Sequence, residues 1–199
     1  MGMLLIALLF VLIHFSFGEI ESVLLVNGQH NLFLDYFFKN LTRLGEWLGI
    51  LICLLVIVLQ KSWIKLIPLA FLNLLAGGLS YSLKHWVFPQ AFRPRKILGN
   101  DELIHFIEGV SVNMDFSYPS GHTLTLMACA CFLAWFYRSN YWAHVGLILF
   151  ASLGALSRVY LFQHFFIDVA TSICLGLFVF GLILLAFDKY LIDKVKKYE

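Results

Sequence analysis

The sequence has little charge, and this shortage excludes an ordinary soluble domain. Only 13% of its 199 residues are Asp, Glu, Lys or Arg, and 61% are hydrophobic. A soluble domain of this length carries roughly 25% charged residues. Several charge-free runs approach the ~20 residues that cross a bilayer. The composition therefore predicts an integral membrane protein with one helical unit, a single domain over residues 1–199.

Three further absences narrow the class of protein. No ten-residue stretches alternate between apolar and polar residues, which argues against a β-barrel. The first apolar run has no Lys or Arg before it and no small-residue cleavage site after it, which favours a retained span over a signal peptide. The four cysteines lie inside predicted spans without a Cys-x-x-Cys pair, so we expect packing residues rather than disulfides or a metal site: Cys53, Cys129, Cys131 and Cys174.

Six charge-free runs predict an all-α bundle of six transmembrane helices. The runs are Met1–Gly18, Trp47–Gln60, Leu66–Leu83, Phe116–Tyr137, Ser139–Ser157 and Val169–Phe187. The second run is short, and we expect its helix to start earlier, around Leu41. Before it, Asp35, Lys39, Arg43 and Glu46 recur every three or four residues. This pattern predicts an interfacial amphipathic helix that runs into the second span, either as an anchor or as a wall that guides a lipid to a site.

Three polar clusters interrupt the apolar chain, each at the end of a predicted span. They hold Lys84 and Arg93, then Ser120, Gly121 and His122 in "YPSGH", then Arg158, His164 and Asp168 in "SRVYLFQHFFID". Each crossing changes the side of the membrane, so the six-span layout brings all three clusters to one surface. Their position at span ends avoids much of the cost of a mid-bilayer charge, about 2.5–3.5 kcal/mol on insertion scales.

The residue types in these clusters suit a phosphate group. Lys84, Arg93 and Arg158 supply three cations, and an arginine side chain binds phosphate oxygens in a bidentate manner. Pro119 suits the first position of a helix, so we expect the helix of span four to begin there with its free N–H groups facing an anion. Gly121 permits close approach of the backbone, and Ser120 offers a hydroxyl.

The two cluster histidines are expected to have different roles. His164 and Asp168 are spaced i,i+4 and would share a helix face, where the carboxylate accepts the Nδ1 proton and leaves Nε2 as a nucleophile. His122 would then protonate the leaving oxygen. Two other interpretations of the His164–Asp168 pair remain. The pair could form a structural hydrogen bond, or it could bind zinc with His122 as third ligand, although the three nearby cations would repel a metal ion. The remaining histidines are expected to pack or cap: His14, His30, His85, His105 and His144.

Together these motifs closely resemble the type-2 phosphatidic acid phosphatase family. The resemblance rests on Lys84 with Arg93-Pro94, on "PSGH" at 119–122, and on Ser157-Arg158 followed by His164 and Asp168. It covers the motifs at 84–94, 118–122 and 157–168, and the whole chain by its six-span layout. That superfamily includes membrane lipid phosphatases and soluble haloperoxidases.

The resemblance implies a role for each matching residue. It implies that His164 forms a phosphohistidine oriented by Asp168, and that His122 is the general acid and later activates water. It implies that the phosphoryl group is bound by Lys84, Arg93, Ser120, Gly121 and Arg158. It implies no metal ion or other cofactor, and a site that faces away from the cytoplasm. The eight residues between Lys84 and Arg93 exceed the usual family interval, and a bend at Pro89 would absorb the extra length.

The resulting hypothesis is a membrane phosphatase that hydrolyses a lipid phosphomonoester or diphosphate, with membrane lipids and no nucleic acid as partners. A lipid phosphotransferase with the same site is an alternative, and a transporter is a second one that the span-end position of the clusters disfavours. The 14 Lys and Arg residues divide seven against seven between the two sides. If Lys84, Arg93 and Arg158 are set aside for the site, seven cations on one side face four on the other. Because positive residues are enriched on the cytoplasmic side, this count predicts cytoplasmic termini. We expect a bacterial inner membrane. The identity of the lipid is not encoded in these motifs.

Overall fold

The computed structural model describes residues 1–99 and 103–198, with side chains described outside 188–198. All regular secondary structure in these residues is helical. Its helices are α1 Gly2–Phe17, α2 Glu19–Asn27, α3 Leu32–Leu41, α4 Trp47–Leu59, α5 Leu66–Ser82, α6 Pro94–Leu98, α7 Gly121–Phe136, α8 Tyr141–Tyr160 and α9 Phe166–Tyr198. Short 3-10 segments at Thr42–Gly45 and Trp63–Lys65 precede α4 and α5, and a π-helical turn at Leu83–Val87 follows α5. The predicted all-α class is confirmed.

Helices α7 and α9 form the centre of the bundle. On one side, α1 and α8 bury Phe10 and Ala155 against them. On the other, α4 and α5 bury Ile57 and Leu72 against the opposite faces of the same two helices. Helix α7 is apolar around its circumference because it contacts neighbours on both sides. The predicted site residues lie where α7 and α9 begin, at one end of this core, which has helices packed on both sides.

Helix length and composition support membrane insertion. Trp63–Val87, Tyr141–Tyr160 and Phe166–Phe187 are each long and apolar enough to span a bilayer. Two bent pairs also qualify if each is one span: Gly2–Phe17 with Glu19–Asn27, bent by 108°, and Leu32–Gly45 with Trp47–Leu59, bent by 60°. Helix α7 is apolar but shorter. The described residues thus contain three to five candidate spans, and the count of six stays a prediction.

The interfacial helix and the second span differ from the sequence-based prediction. We expected one amphipathic helix to continue through Glu46, but α3 ends at Leu41 and a 3-10 turn intervenes before α4 begins at Trp47. The side chain of Asn31 caps α3 by accepting the N–H of Leu34 at 3.0 Å. The break at Gly45 and Glu46 redirects the chain by 60°, which brings this segment over the end of α7.

The cysteines agree with the prediction in three of four positions. Cys53, Cys129 and Cys131 are buried as free thiols, and the Sγ of Cys53 lies 3.8 Å from the carbonyl oxygen of Cys129. Cys174 is exposed on α9, so its predicted packing role is wrong. The outer surfaces of the other helices carry many exposed apolar side chains, which suits contact with lipid. Examples are Leu5, Leu12, Leu55, Phe71, Leu74, Phe150, Phe178 and Leu185.

Candidate active site

His164 and Asp168 lie together where α8 turns into α9. His164 precedes the first residue of α9, so the two residues do not share a helix as we predicted. The loop nevertheless places Nδ1 of His164 3.4 Å from Oδ2 of Asp168, with both side chains almost fully buried. Nε2 of His164 is also buried and has no hydrogen-bond partner among the described residues. One ring nitrogen is thus held beside a carboxylate, and the other is left for a ligand.

Ser117 completes this pair, although it was not predicted from the sequence. Its Oγ donates to Oδ2 of Asp168 at 2.5 Å and lies 3.5 Å from Nδ1 of His164. The N–H of Phe165 donates to the same carboxylate oxygen at 3.0 Å. Two donors therefore fix the carboxylate next to the imidazole. Ser117 lies two residues before Pro119 of the "PSGH" motif, and no local pattern distinguishes it from other serines.

Two buried arginines lie beside the histidine. Arg93 donates from Nε to the carbonyl oxygen of Asp115 at 2.9 Å, and from Nη1 to Oε1 of Gln163 at 2.8 Å. Arg158, at the end of α8, donates from Nη1 to Oγ1 of Thr42 at 2.6 Å. Its Nε is buried without a hydrogen-bond partner among the described residues. A buried guanidinium with an unused donor is suited to an oxyanion.

Lys84 approaches the same place from the end of α5. It lies in the π-helical turn Leu83–Val87, where one turn contains more residues than in an α-helix. The chain then turns at Pro89 before it reaches Arg93. A Cβ placed on Gly121 would lie 3.8 Å from Nζ of Lys84. The wide turn and the bend at Pro89 thus absorb the long interval in the motif and bring Lys84 to the start of α7.

The "YPSGH" segment opens α7, two residues later than predicted. The helix begins at Gly121 with Ser120 as its N-cap, so Pro119 precedes the helix and does not occupy its first position. Oγ of Ser120 accepts from the N–H of Thr123 at 3.4 Å and from Oγ1 of Thr123 at 3.0 Å. The N–H of Ser120 also donates to the main-chain oxygen of Asp168 at 3.4 Å. This contact joins the starts of α7 and α9.

The bend of the second span covers the start of α7. Oε1 of Glu46 lies 3.0 Å from Nε2 of His122, and Thr42 binds Arg158 as described above. Gly45 packs so closely that a Cβ placed on it would lie 2.6 Å from the carbonyl oxygen of His122. The charge pattern of the sequence predicted an interfacial helix at Glu46, and neither Glu46 nor Thr42 was predicted to belong to the site. The only sequence feature that could have indicated a role was a carboxylate and a hydroxyl group next to the start of a predicted span.

The charges of these groups act on His164. Burial lowers the pKa of His164 well below its ordinary value of 6.5, and the positive charges of Arg93, Arg158 and Lys84 lower it further, followed by His122. All of the predicted cluster residues that carry charge therefore lie within electrostatic reach of one imidazole. The neutral, nucleophilic form of His164 is favoured at neutral pH. The excess of cations over carboxylates favours an anionic ligand.

A cavity of about 250 Å³ opens beside His122 and Arg158. It is lined by Lys39, Thr42, Arg43, Glu46, Gly109, Val110, Ser111, Asn113, His122, Arg158 and Gln163. Among the described residues, no group of three or more His, Cys, Asp or Glu side chains is arranged to hold a metal ion. The histidines outside the clusters differ in their distance from the site, and His85 directly follows Lys84 in the π-helical turn. By contrast, His144 bonds the carbonyl oxygen of Ala134 at 3.1 Å, at the opposite end of α8.

Comparison with solved structures shows two bacterial proteins with the same fold. LpxE from Aquifex aeolicus aligns with a TM-score of 0.70 at 24% identity, over 83% of this chain and 94% of that one. A transmembrane PAP2-type phosphatidylglycerolphosphate phosphatase from Bacillus subtilis aligns with a TM-score of 0.61 at 21% identity, over 95% and 96% of the two chains. No curated protein sequence matches significantly.

The sequence also matches a protein-family model. The model describes the PAP2 superfamily and matches residues 65–191, which is more than half of the chain. The matched segment contains the three predicted clusters, from Lys84 to Asp168. The bend of the second span, with Thr42 and Glu46, lies outside it. This membrane protein belongs to the PAP2 superfamily, as the resemblance of its motifs predicted.

Proposed function

We propose that the chain is an integral membrane lipid phosphatase that needs no metal ion. It hydrolyses a lipid phosphomonoester or diphosphate through a phosphohistidine intermediate. The observation that carries this proposal is the state of His164. Its Nδ1 lies beside Asp168 and Ser117, while its Nε2 is buried without a partner among the described residues. Three cations act on the same ring. This is the arrangement that a neutral histidine nucleophile for phosphorus needs.

In the first step, Nε2 of His164 attacks phosphorus and the bond to the leaving oxygen breaks. Arg93, Arg158 and Lys84 stabilise the charge on the phosphoryl oxygens, assisted by the N–H groups at the start of α7. Asp168 stabilises the positive charge that develops on the imidazole. His122 donates a proton to the leaving oxygen. Ser120 and Gly121 shape the end of the helix that faces the phosphoryl group.

In the second step, water hydrolyses the phosphohistidine. His122, now neutral, accepts a proton from that water, and phosphate leaves. Glu46 holds Nε2 of His122, so Nδ1 is the ring nitrogen that exchanges protons with the substrate. Uncatalysed phosphate monoester hydrolysis is among the slowest reactions that enzymes accelerate, by up to ~10²¹-fold. A covalent intermediate divides that barrier into two smaller ones.

The proposed location follows from the same topology. The apolar outer surface places the bundle in a membrane, where an acyl or prenyl chain lies beside the helices while its phosphate enters the site. We place the termini in the cytoplasm and the site on the extracytoplasmic face of a bacterial inner membrane. The bacterial sources of both structural neighbours support this assignment.

The direct test is phosphate release by the detergent-purified protein from a panel of lipid phosphates, with and without EDTA. The native chain should release phosphate in both conditions and should be inhibited by orthovanadate, which mimics five-coordinate phosphorus. His164→Ala should abolish release, because the proposed covalent intermediate forms on its Nε2. His144→Ala, at the opposite end of α8, is the matched control and should keep full activity.

The outcomes separate the alternatives. Turnover retained in His164→Ala would exclude it as the nucleophile, and loss of activity in EDTA would exclude the metal-independent mechanism. Consumption of the lipid phosphate without free phosphate would identify a phosphotransferase.

A further inference from the structure

We propose that Lys39 and Arg43 form a second anion subsite, which binds a negatively charged group in the leaving part of the substrate. The inference rests on the proposed phosphatase function and specifies its substrate class. A lipid diphosphate fits this description, since its leaving group is a lipid monophosphate. A lipid whose leaving alcohol carries a phosphodiester is a second source of the same chemistry.

The subsite lies in the cavity beside His122. The cavity holds about 250 Å³, room for about eight water molecules at ~30 Å³ each, and so exceeds what one phosphoryl group needs. Its lining includes Arg158 and Gln163 from the segment before His164, and Lys39 and Arg43 from α3 and the 3-10 turn. Arg158 and His122, which belong to the proposed catalytic site, therefore share this cavity with Lys39 and Arg43.

The charge of the lining favours an anion. Its three cations, Lys39, Arg43 and Arg158, face one carboxylate, Glu46, which is paired with His122. The Arg43 side chain is exposed and has no hydrogen bond or ion pair within the described part of the chain. Among the residues that the structure describes, no carboxylate is paired with Lys39 or Arg43, and a phosphate oxygen would supply the counter-charge.

Lys39 is held in position toward the cavity. Its Nζ donates to the carbonyl oxygen of Glu108 at 2.5 Å. Gly109 follows with a φ of +73°, and a Cβ placed on it would lie 2.9 Å from Nζ. A side chain at position 109 would therefore displace the ammonium group. Because an ammonium group has three donors, Lys39 can keep this contact and still bind an anion.

The position of His122 assigns the subsite to the leaving side of the substrate. In the proposed mechanism, His122 faces the leaving oxygen, and Glu46 joins His122 to the segment that carries Arg43. When a diphosphate reacts, the bond from Nε2 of His164 to the terminal phosphorus forms as the bond to the bridging oxygen breaks. The lipid monophosphate leaves with that oxygen and its proton from His122, and water then releases phosphate from His164. Lys39 and Arg43 stabilise the departing phosphate.

Lys39 and Arg43 lie outside the segment that the family model matches, which starts at residue 65. The simpler role for both residues is that of interfacial cations that contact lipid headgroups. That role predicts no dependence on the charge of the leaving group, so it can be distinguished by experiment.

The experiment compares kcat/KM for substrates that share a tail and differ in the leaving group. One pair is an isoprenyl diphosphate and the corresponding monophosphate, and the other is phosphatidylglycerol phosphate and phosphatidate. In Lys39→Gln and Arg43→Gln, the preference for the anionic leaving group should fall about tenfold, as expected for loss of a charge-assisted hydrogen bond. Lys61→Gln, in the loop at the opposite end of α4, removes the same charge and should leave the preference unchanged.

Each result has a defined meaning. A fall confined to the first pair identifies a directly attached phosphate as the ligand, and a fall confined to the second identifies a phosphodiester. An unchanged preference in both variants, or a native chain that prefers uncharged leaving groups in both pairs, would overturn the subsite. Absence of phosphate release from all four lipids would instead overturn the proposed function. Turnover of the monophosphates reports that each variant is folded.

Discussion

At the residue scale, each of the two histidines of the candidate site has a carboxylate beside one ring nitrogen. Asp168 lies 3.4 Å from Nδ1 of His164, and Glu46 lies 3.0 Å from Nε2 of His122. The two environments differ, because His164 is fully buried among cations while His122 lines an open cavity. Such different surroundings suit two different roles in acid–base and nucleophilic chemistry.

The low pKa of His164 makes folding stability depend on pH. Below its ordinary pKa of 6.5, the unfolded imidazole takes up a proton that the folded one does not bind. The folded state is therefore at full stability above pH 6.5 and loses stability as the pH falls toward the lower folded pKa. Thermal unfolding in detergent should show a larger decrease from about pH 7 to about pH 5 in the native chain than in His164→Gln, by up to ~1.4 kcal/mol per pH unit. Equal decreases would contradict a lowered pKa.

Glu46 should act as a positioning residue for His122. Glu46→Gln is expected to lower kcat by about 10- to 100-fold, within the ~10²–10⁴-fold that general acid catalysis contributes. With p-nitrophenyl phosphate, whose leaving group needs no protonation, the defect in the first step should disappear. Glu108→Gln, an exposed carboxylate on the neighbouring loop, is the matched control. A similar loss with both substrates would point to a structural role instead.

At the scale of elements, the bend in the second span decides how the site is closed. A straight helix through residues 32–59 would carry Glu46 past the start of α7. The 3-10 turn Thr42–Gly45 instead brings Thr42 to Arg158 and Glu46 to His122. The bend depends on close packing, since Gly45 contacts the backbone of His122 directly.

Gly45→Ala should therefore damage both stability and activity. The added methyl group would lie 2.6 Å from the carbonyl oxygen of His122, so the turn or α7 must move. Overpacking of this kind costs about 1–3 kcal/mol. Gly78→Ala, where an added Cβ meets nothing within 4 Å, is the control and should be neutral or slightly stabilising. Thermal unfolding and phosphate release measure the two effects, and a stable, active Gly45→Ala would refute the packing argument.

At the scale of the whole molecule, one end of the bundle is polar and the sides are apolar. The starts of α7 and α9 and the ends of α5 and α8 meet at that polar end. Their contacts include the one between Ser120 and Asp168. A membrane that covers the apolar sides leaves this end at one boundary. The proposed phosphate site would then lie at the headgroup level of the membrane, within reach of a lipid phosphate.

The proposed orientation can be measured with single cysteines in a Cys174→Ala background. Asn113→Cys lies at the cavity, and Lys61→Cys lies in the loop at the other end of the bundle. In intact cells, a membrane-impermeant maleimide should label position 113 and not position 61, because only the first faces the outside. The reverse labelling would place the site in the cytoplasm.

Physical constraints on single residues made much of this protein predictable from sequence. The scarcity of charge determined that the helices face lipid, because an isolated charge there is costly. The remaining cations, histidines and Asp168 therefore stood out. Their motifs also predicted the superfamily, which the family match confirms.

Tertiary structure alone decided how the site is completed. Glu46 and His122 are 76 positions apart, and Ser117 and Asp168 are 51 apart, so neither pair forms a local pattern. The start of α7 at Gly121, the π-helical turn around Lys84 and the bend at Gly45 likewise follow from how the helices pack. Sequence spacing constrains neighbours along one element, whereas a contact between elements depends on the positions of both, which only the folded bundle fixes.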